Sequence, residues 1–248
     1  MRPVAQEFRK YEAILAERYP AMIAEAKLLA DNVVDPNGAD ANAVWSVLWE
    51  KPLFANTRVP VAGRWCAELN PHMSGAWKLW GEPDHFLITK IGRGVQRSSF
   101  VVTGQAAEAI TQSRIALHRL YAIQGAARAT KDRAASSDKP FVDLPKLELQ
   151  AGVKLLREEF GTGWGPITIL HFLTDLGLAV KPDLHLMRSM EHFFGPLARS
   201  GKVPSFSEAI AVNREVQLLG NELGLESSPT NIRYLDKVLM EISRQGLI

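Results

Sequence analysis

Residues 149–160, LQAGVKLLREEF, carry an amphipathic helical pattern that stops at Gly161, and GTGWGP at 161–166 turns the chain into a second helical pattern. This turn constrains the fold more than any other feature of the chain. Val153, Leu155, Leu156 and Phe160 give the first helix its apolar residues. Ile167, Ile169, Leu170, Phe172, Leu173 and Leu176 do the same for the second. Pro166 suits the first position of a helix, where its missing N–H costs nothing. Gly163 and Gly165 permit positive φ and a close backbone approach. Two uses are open. The glycines can simply turn a helical hairpin tightly, or the backbone N–H groups ahead of the second helix can hold a phosphate.

The rest of the chain is mostly helical in pattern. Residues 4–31 have helical periodicity, and Pro20 divides them into two helices with the break at Tyr19. VVDPNGADAN is a turn region, and ANAVWSVLWE a short helix. Residues 51–104 are rich in aromatics, and HFLITKI and SFVVT within them read equally as two short strands or weak helices. Residues 105–130 are strongly helical, and TKDRAASSDKP reads as an exposed loop or linker. Further helices are expected at about 144–160, 166–178, 183–194, 205–223 and 228–245. The fold class is mainly α, with room for a short β hairpin in the N-terminal half. The expected division is 1–140, an N-terminal helical and aromatic-rich region, and 141–248, which holds the hairpin.

Composition removes several classes of function. The one cysteine, Cys66, cannot hold an iron–sulfur cluster, an internal disulfide or a thiolate zinc site. A reducing, intracellular setting, cytoplasmic in the simplest case, is the expectation. The start MRPVAQEFRKYEAIL is charged and amphipathic, unlike a signal peptide, and no apolar run nears the roughly 18 residues that span a bilayer. Net charge is only +2, but it is uneven. Residues 90–133 carry Lys90, Arg93, Arg97, Arg114, Arg119, Arg128, Lys131 and Arg133 against Glu108 and Asp132, a net of +6. Such asymmetry fits either a polyanion-binding face or a solvated helix surface.

Beyond the hairpin, Thr168, His171 and Asp175 lie on the helix face opposite the apolar residues, and Gly177 ends the helix. LAVKPD returns the chain in extended form, because Lys181 precedes proline. Asp183 then stands where the next helix begins, the usual place of a capping carboxylate.

In this order the residues resemble the signature of the helix–hairpin–helix DNA glycosylases, over 149–195. Gly163-Trp164-Gly165 matches that family's phosphate-holding hairpin, Thr168 a threonine early in the following helix, and Asp183 with His185 the aspartate and its neighbour. The resemblance implies a helical glycosylase fold, DNA as partner, and Asp183 as the carboxylate facing an extruded nucleotide. It implies backbone-directed DNA contacts from Gly161, Gly163, Trp164, Gly165 and Thr168, with His185 and Arg188 beside them. No cofactor is required, although a monovalent cation can sit at the hairpin. Members that also cleave the strand carry a lysine two residues after the second hairpin glycine. Here that position is Ile167, which cannot form a Schiff base. The four-cysteine cluster of some relatives is absent.

The chemistry fits one aspartate. N-glycosidic cleavage builds positive charge on the sugar, and a carboxylate near C1′ stabilises it and orients the attacking water. The base must leave the stack, so an aromatic slot is needed. Trp65, Trp77, Trp80 and Phe86 are candidates for it, and each is equally a candidate for the core. Arg93 and Arg97 are candidates for phosphate contacts. No group of residues resembles a metal site. The expected function is a monomeric, monofunctional DNA glycosylase. Alkylated purines, deaminated bases, oxidised guanine and hypermodified cytosines of phage genomes are all open as substrates, the last implying a defence role. The alternative is a non-catalytic helix–hairpin–helix protein that binds DNA structures and leaves every base attached.

Overall fold

The structure, a computed structural model, describes residues 3–82, 88–91, 99–102, 115–196, 204–226 and 228–248. The helices in chain order are α1 (Pro3–Arg18), α2 (Pro20–Asp31), α3 (Ala41–Leu48), α4 (Lys51–Phe54), α5 (Val59–Leu69) and α6 (Trp77–Trp80). After two short strands come α7 (Leu117–Ser136), α8 (Leu149–Phe160), α9 (Pro166–Asp175), α10 (Leu184–Phe194), α11 (Phe206–Glu222) and α12 (Pro229–Arg244). The chain divides into two compact units, Met1–Asp35 with Leu170–Ile248, and Pro36–Ile169. The regions expected from the sequence, 1–140 and 141–248, group the chain differently, because the first two helices share a core with the last three.

That core is built by helical spacing. In α12, Leu235, Val238, Leu239 and Ile242 follow i, i+3, i+4, i+7 and are fully buried. They meet Phe8 and Leu15 of α1, Ala26 of α2, Leu186 and Met190 of α10, and Val212 and Val216 of α11. Burying a side chain such as Phe8 is worth about 1.5–3 kcal/mol. Helices α1 and α2 part at Tyr19 as expected, with Pro20 at the first position of α2. Lys237 and Glu241, both buried on α12, are paired at 2.9 Å, and Glu25 of α2 closes on Lys237 at 3.0 Å. Helix α9 ends at Asp175, and the turn that closes it takes Gly177 at φ +66°. The Leu178 N–H then donates to the Leu173 carbonyl at 2.9 Å, which satisfies an end carbonyl of the helix. A Cβ at Gly177 would overlap the backbone of Pro229.

In the second unit α7 is the central helix, packed by α3, α4, α6 and α8. Leu120, Ala122, Ile123, Ala126, Ala127 and Ala129 are all buried, so it is covered on nearly every side, and its alanines allow close neighbours. A Cβ at Gly125 would overlap the Phe160 carbonyl, so α7 and α8 meet backbone to backbone. Helix α7 runs to Ser136, which corrects the loop expected over TKDRAASSDKP. The reason is that Arg133 turns inward, while Asp132 stays exposed. Arg133 reaches Asp143 and Glu159 at 2.7 Å each and stacks over Phe141. Within HFLITKI and SFVVT, the described residues 88–91 and 99–102 are strands. β1 (Ile88–Ile91) and β2 (Ser99–Val102) pair antiparallel, with Ile88 opposite Val102.

Candidate functional site

The hairpin belongs to the second unit. Helix α8 stops at Phe160, Gly161 takes φ +74°, and α9 begins at Pro166. Trp164 pins the turn from inside. It is 2% exposed, its indole N–H donates to the Ala122 carbonyl at 2.8 Å, and its ring lies 4.7 Å from that of Phe160. The side chain of Trp164 therefore faces the protein interior, which leaves its backbone for the DNA contact expected of it. A bulky residue fits the middle of this hairpin because it points into the protein.

The two hairpin glycines have different reasons. Gly163 has φ +96°, and a Cβ there would come 2.6 Å from the Ala122 Cβ. It is required by the fold. Gly165 is outside the positive-φ residues, and a Cβ on it would meet nothing within 4 Å. The fold does not ask for glycine there. Thr162, Gly163 and Gly165 are exposed, and the N–H groups of Gly163, Gly165, Ile167 and Thr168 find no acceptor among the described residues. This set of unsatisfied donors at a helix start, with its positive dipole end, suits a phosphate.

Asp183 belongs to the first unit. It is the N-cap of α10, and one oxygen, Oδ1, accepts the N–H groups of both His185 and Leu186 at 3.0 Å. No hydrogen bond among the described residues falls on Oδ2. The capping reading and the catalytic reading thus use different oxygens of one carboxylate.

The segment that delivers Asp183 is held by residues that sequence reasoning missed. The Val180 N–H donates to Asn213 Oδ1 at 2.7 Å, and Asn213 Nδ2 donates back to the Val180 carbonyl at 3.1 Å. The Lys181 N–H donates to Asp236 Oδ1 at 3.0 Å. Arg233 joins Asp236, at 2.8 Å, to Asp175, at 3.2 Å. Asp175 is therefore not a merely wet residue of the α9 face. Burial, then the charges of Asp183 and Asp175, push Asp236 up to about 6 against the pull of Arg233 and the Lys181 N–H. These partners lie 33 and 55 residues from the segment they hold. The only sequence signal was polar residues, Asn213 and Asp236, among apolar helix positions.

The other candidates separate. His185 is half-buried, and its Nδ1 is buried without a partner. Arg188 is exposed and makes no ion pair among the described residues. His192 meets Glu7 at 3.1 Å and Tyr11 edge-on. Trp80 is 1% exposed, and Trp77 is buried with its indole donating to Asn42 Oδ1 at 2.9 Å. Both are packed in the core of the second unit, the other of the two places the sequence left open for them. Trp65 is half-buried beneath the Arg119 guanidinium, 5.5 Å from its ring. Phe86, Arg93 and Arg97 lie outside the described residues. The basic run also shrinks. Arg119 is buried and donates to the Leu53 carbonyl at 3.0 Å, Lys131 pairs with Glu82, and Arg133 is engaged as above. Burial pushes the Cys66 thiol up to about 12, which leaves it no thiolate at neutral pH. No helix among the described residues is long and apolar enough to cross a membrane.

No protein-family model matches the sequence, and no curated protein matches it. Two solved structures are similar in fold. One is the Methanocaldococcus jannaschii 8-oxoguanine glycosylase/lyase in complex with a 15mer DNA containing 8-oxoguanine. It is 14% identical, with a TM-score of 0.58 over 98% of this chain and 99% of that one. The other is the 8-oxoguanine DNA glycosylase of Thermotoga maritima, 16% identical, with a TM-score of 0.49 over 94% of this chain and 95% of that one. The first likeness, nearly end to end in both chains, gives this protein the helical fold of that archaeal structure.

Proposed function

We propose that the protein is a DNA glycosylase that hydrolyses the bond between deoxyribose and an extruded, modified base. The observation that carries this reading is Asp183. It has one oxygen fixed as a helix cap and the other unengaged, on a segment clamped ahead of the helix. A carboxylate whose orientation is set before substrate arrives costs little to reorganise as charge develops. Oδ2 is the atom that stabilises the oxocarbenium-like sugar. Water is the nucleophile. Its oxygen bonds to C1′, the N-glycosidic electron pair leaves with the base, and the water's proton passes to the carboxylate. The backbone N–H groups around Gly165 hold a phosphate, Arg188 adds a cation, and a monovalent cation at the hairpin is compatible with this use.

Ile167 supports a monofunctional enzyme, since an alkyl side chain replaces the amine that strand cleavage by Schiff base needs. The similar archaeal protein is a glycosylase/lyase seen with 8-oxoguanine DNA, so oxidised guanine is the first substrate to try. Alkylated purines, deaminated bases and hypermodified phage cytosines complete the panel, and release of the last would support a role in defence. The protein works as a monomer in this reading. The experiment is incubation with duplexes carrying each base and with modified phage DNA, followed by mass spectrometry of released bases. DNA binding without release of any base would favour a non-catalytic DNA-structure binder instead.

A further inference from the structure

We propose that Asn213 and Asp236 are positioning residues for Asp183. Together they hold the backbone of Val180 and Lys181 as a neighbouring β-strand would, and so fix where the unengaged oxygen of Asp183 stands. The inference rests on the glycosylase reading for its consequence but not for its geometry.

The segment from Ala179 to Asp183 has no regular secondary structure and no strand beside it among the described residues, and it turns at Pro182, where the Asp183 N–H donates to the Lys181 carbonyl at 2.7 Å. Ala179 and Val180 are each 1% exposed, so their neighbourhood is dry and backbone polar groups there need partners. Asn213 supplies them in an unusual way. It sits in the interior of α11, where asparagine is a poor helix former, and it is 3% exposed. Its Oδ1 accepts from Val180, and its Nδ2 donates to both Val180 and Ala209 carbonyls, the latter at 2.9 Å. One side-chain amide thus satisfies both backbone groups of Val180. Asp236, from the next helix, takes the Lys181 N–H. Pro182 follows and fixes φ, leaving few free torsions between the clamp and Asp183.

A leucine at position 213 would serve the core alone. Two buried polar side chains aimed at consecutive residues of an unpaired segment specify its course instead. Asp236 carries charge as well. The charged groups acting on it are Arg233 on its own helix, Asp175 at the end of α9 and Asp183 at the start of α10, while Lys181 contributes its backbone N–H. Glu25 of α2 is tied to Lys237 one residue further along α12. Because Asp236 titrates near 6, its hold on Lys181 is charge-assisted at neutral pH and weaker in mild acid.

The full-length wild type, Asp236→Ala, Asp236→Asn and Asn213→Ala proteins test this, with melting curves to verify folding. Amide hydrogen exchange at Val180 and Lys181, without DNA and from pH 5 to 8, reads the clamp itself. Single-turnover excision on an 8-oxoguanine duplex and affinity for an abasic-analogue duplex read its consequence. Asp236→Ala is expected to lower Lys181 protection by roughly tenfold or more. It should slow excision by roughly 10–100-fold, since small misplacements of a reacting group cost that much, with affinity changed less than about threefold. Asn213→Ala should do the same through Val180. Asp236→Asn keeps an acceptor oxygen, so its Lys181 protection should stay within about threefold of wild type at pH 7.5. It should also lose the wild-type decline in protection between pH 7 and 5. A folded Asp236→Ala protein with wild-type protection at Lys181, or wild-type excision, would overturn the proposal. Where the alanine variant does not fold, an Asp236→Asn protein that keeps the wild-type pH dependence overturns it. If wild type releases no base, the glycosylase reading fails, and the exchange data still decide whether the clamp is held.

Discussion

Replacing Asp183 by asparagine separates the two uses of one side chain. The cap depends on Oδ1, which accepts two N–H groups at 3.0 Å. Asparagine presents an oxygen of the same shape there, and Asn and Asp are about equal at the N-cap. The stability change should therefore stay within about 0.5 kcal/mol, the loss of charge near the helix start being the main term. Catalysis depends on Oδ2, which the substitution turns into an amide nitrogen with no negative charge. It can neither stabilise a positive sugar nor accept a proton from water. Excision should fall by roughly 10²–10⁴-fold, about 3–5 kcal/mol of barrier. Asp183→Ala is the control, since it removes the cap too and should lose about 1 kcal/mol of stability on top of the activity. The assay is single-turnover release of the base identified by the substrate panel, with thermal melts and DNA affinity measured on the same samples. An asparagine variant that is folded and excises at the wild-type rate would refute the reasoning and leave Asp183 as a cap alone.

The hairpin glycines should part company. Gly163→Ala, with φ +96° and a contact of 2.6 Å to relieve, should destabilise the protein by roughly 1–3 kcal/mol in melting experiments. Gly165→Ala should leave the melt nearly unchanged and still weaken binding of an abasic-analogue duplex, and undiminished affinity would mean the turn only joins two helices. With Ile167 at the Schiff-base position, borohydride should trap no covalent enzyme–DNA adduct while base release proceeds, and efficient trapping would show lyase chemistry from another amine. Asp236, raised from 3.8 to about 6, contributes stability that is fully present below pH 3.8 and is lost as pH rises through 6. Across that window the loss is at most ~3 kcal/mol, and denaturant titrations of Asp236→Asn should lack it.

Local signals in the chain carried most of the helix plan. Pro20, Gly161, Pro166, Gly177 and the cap at Asp183 act on their nearest neighbours, so their effects are visible in a short window of sequence. What was hidden depends on partners far away. Arg119, Lys131 and Arg133 look like surface charge until Leu53, Glu82, Asp143 and Glu159 are brought to them. Trp77 and Trp80 can serve a slot or a core as far as sequence goes, and the second unit packs them inside. TKDR looks like a loop for the same reason, because Asp143 and Glu159, the partners that hold Arg133, lie further along the chain. The clamp on Val180 and Lys181 left only a faint trace, two polar residues among apolar helix positions, since nothing near residue 180 announces Asn213 or Asp236. Asp183 shows why a cap and a catalytic carboxylate are hard to tell apart by position. The N–H groups of His185 and Leu186 immobilise one oxygen, and immobilising one oxygen of a planar carboxylate aims the other. A helix start is thus a place where a side chain oriented for structural reasons is already oriented for chemistry, and the sequence position is the same for both.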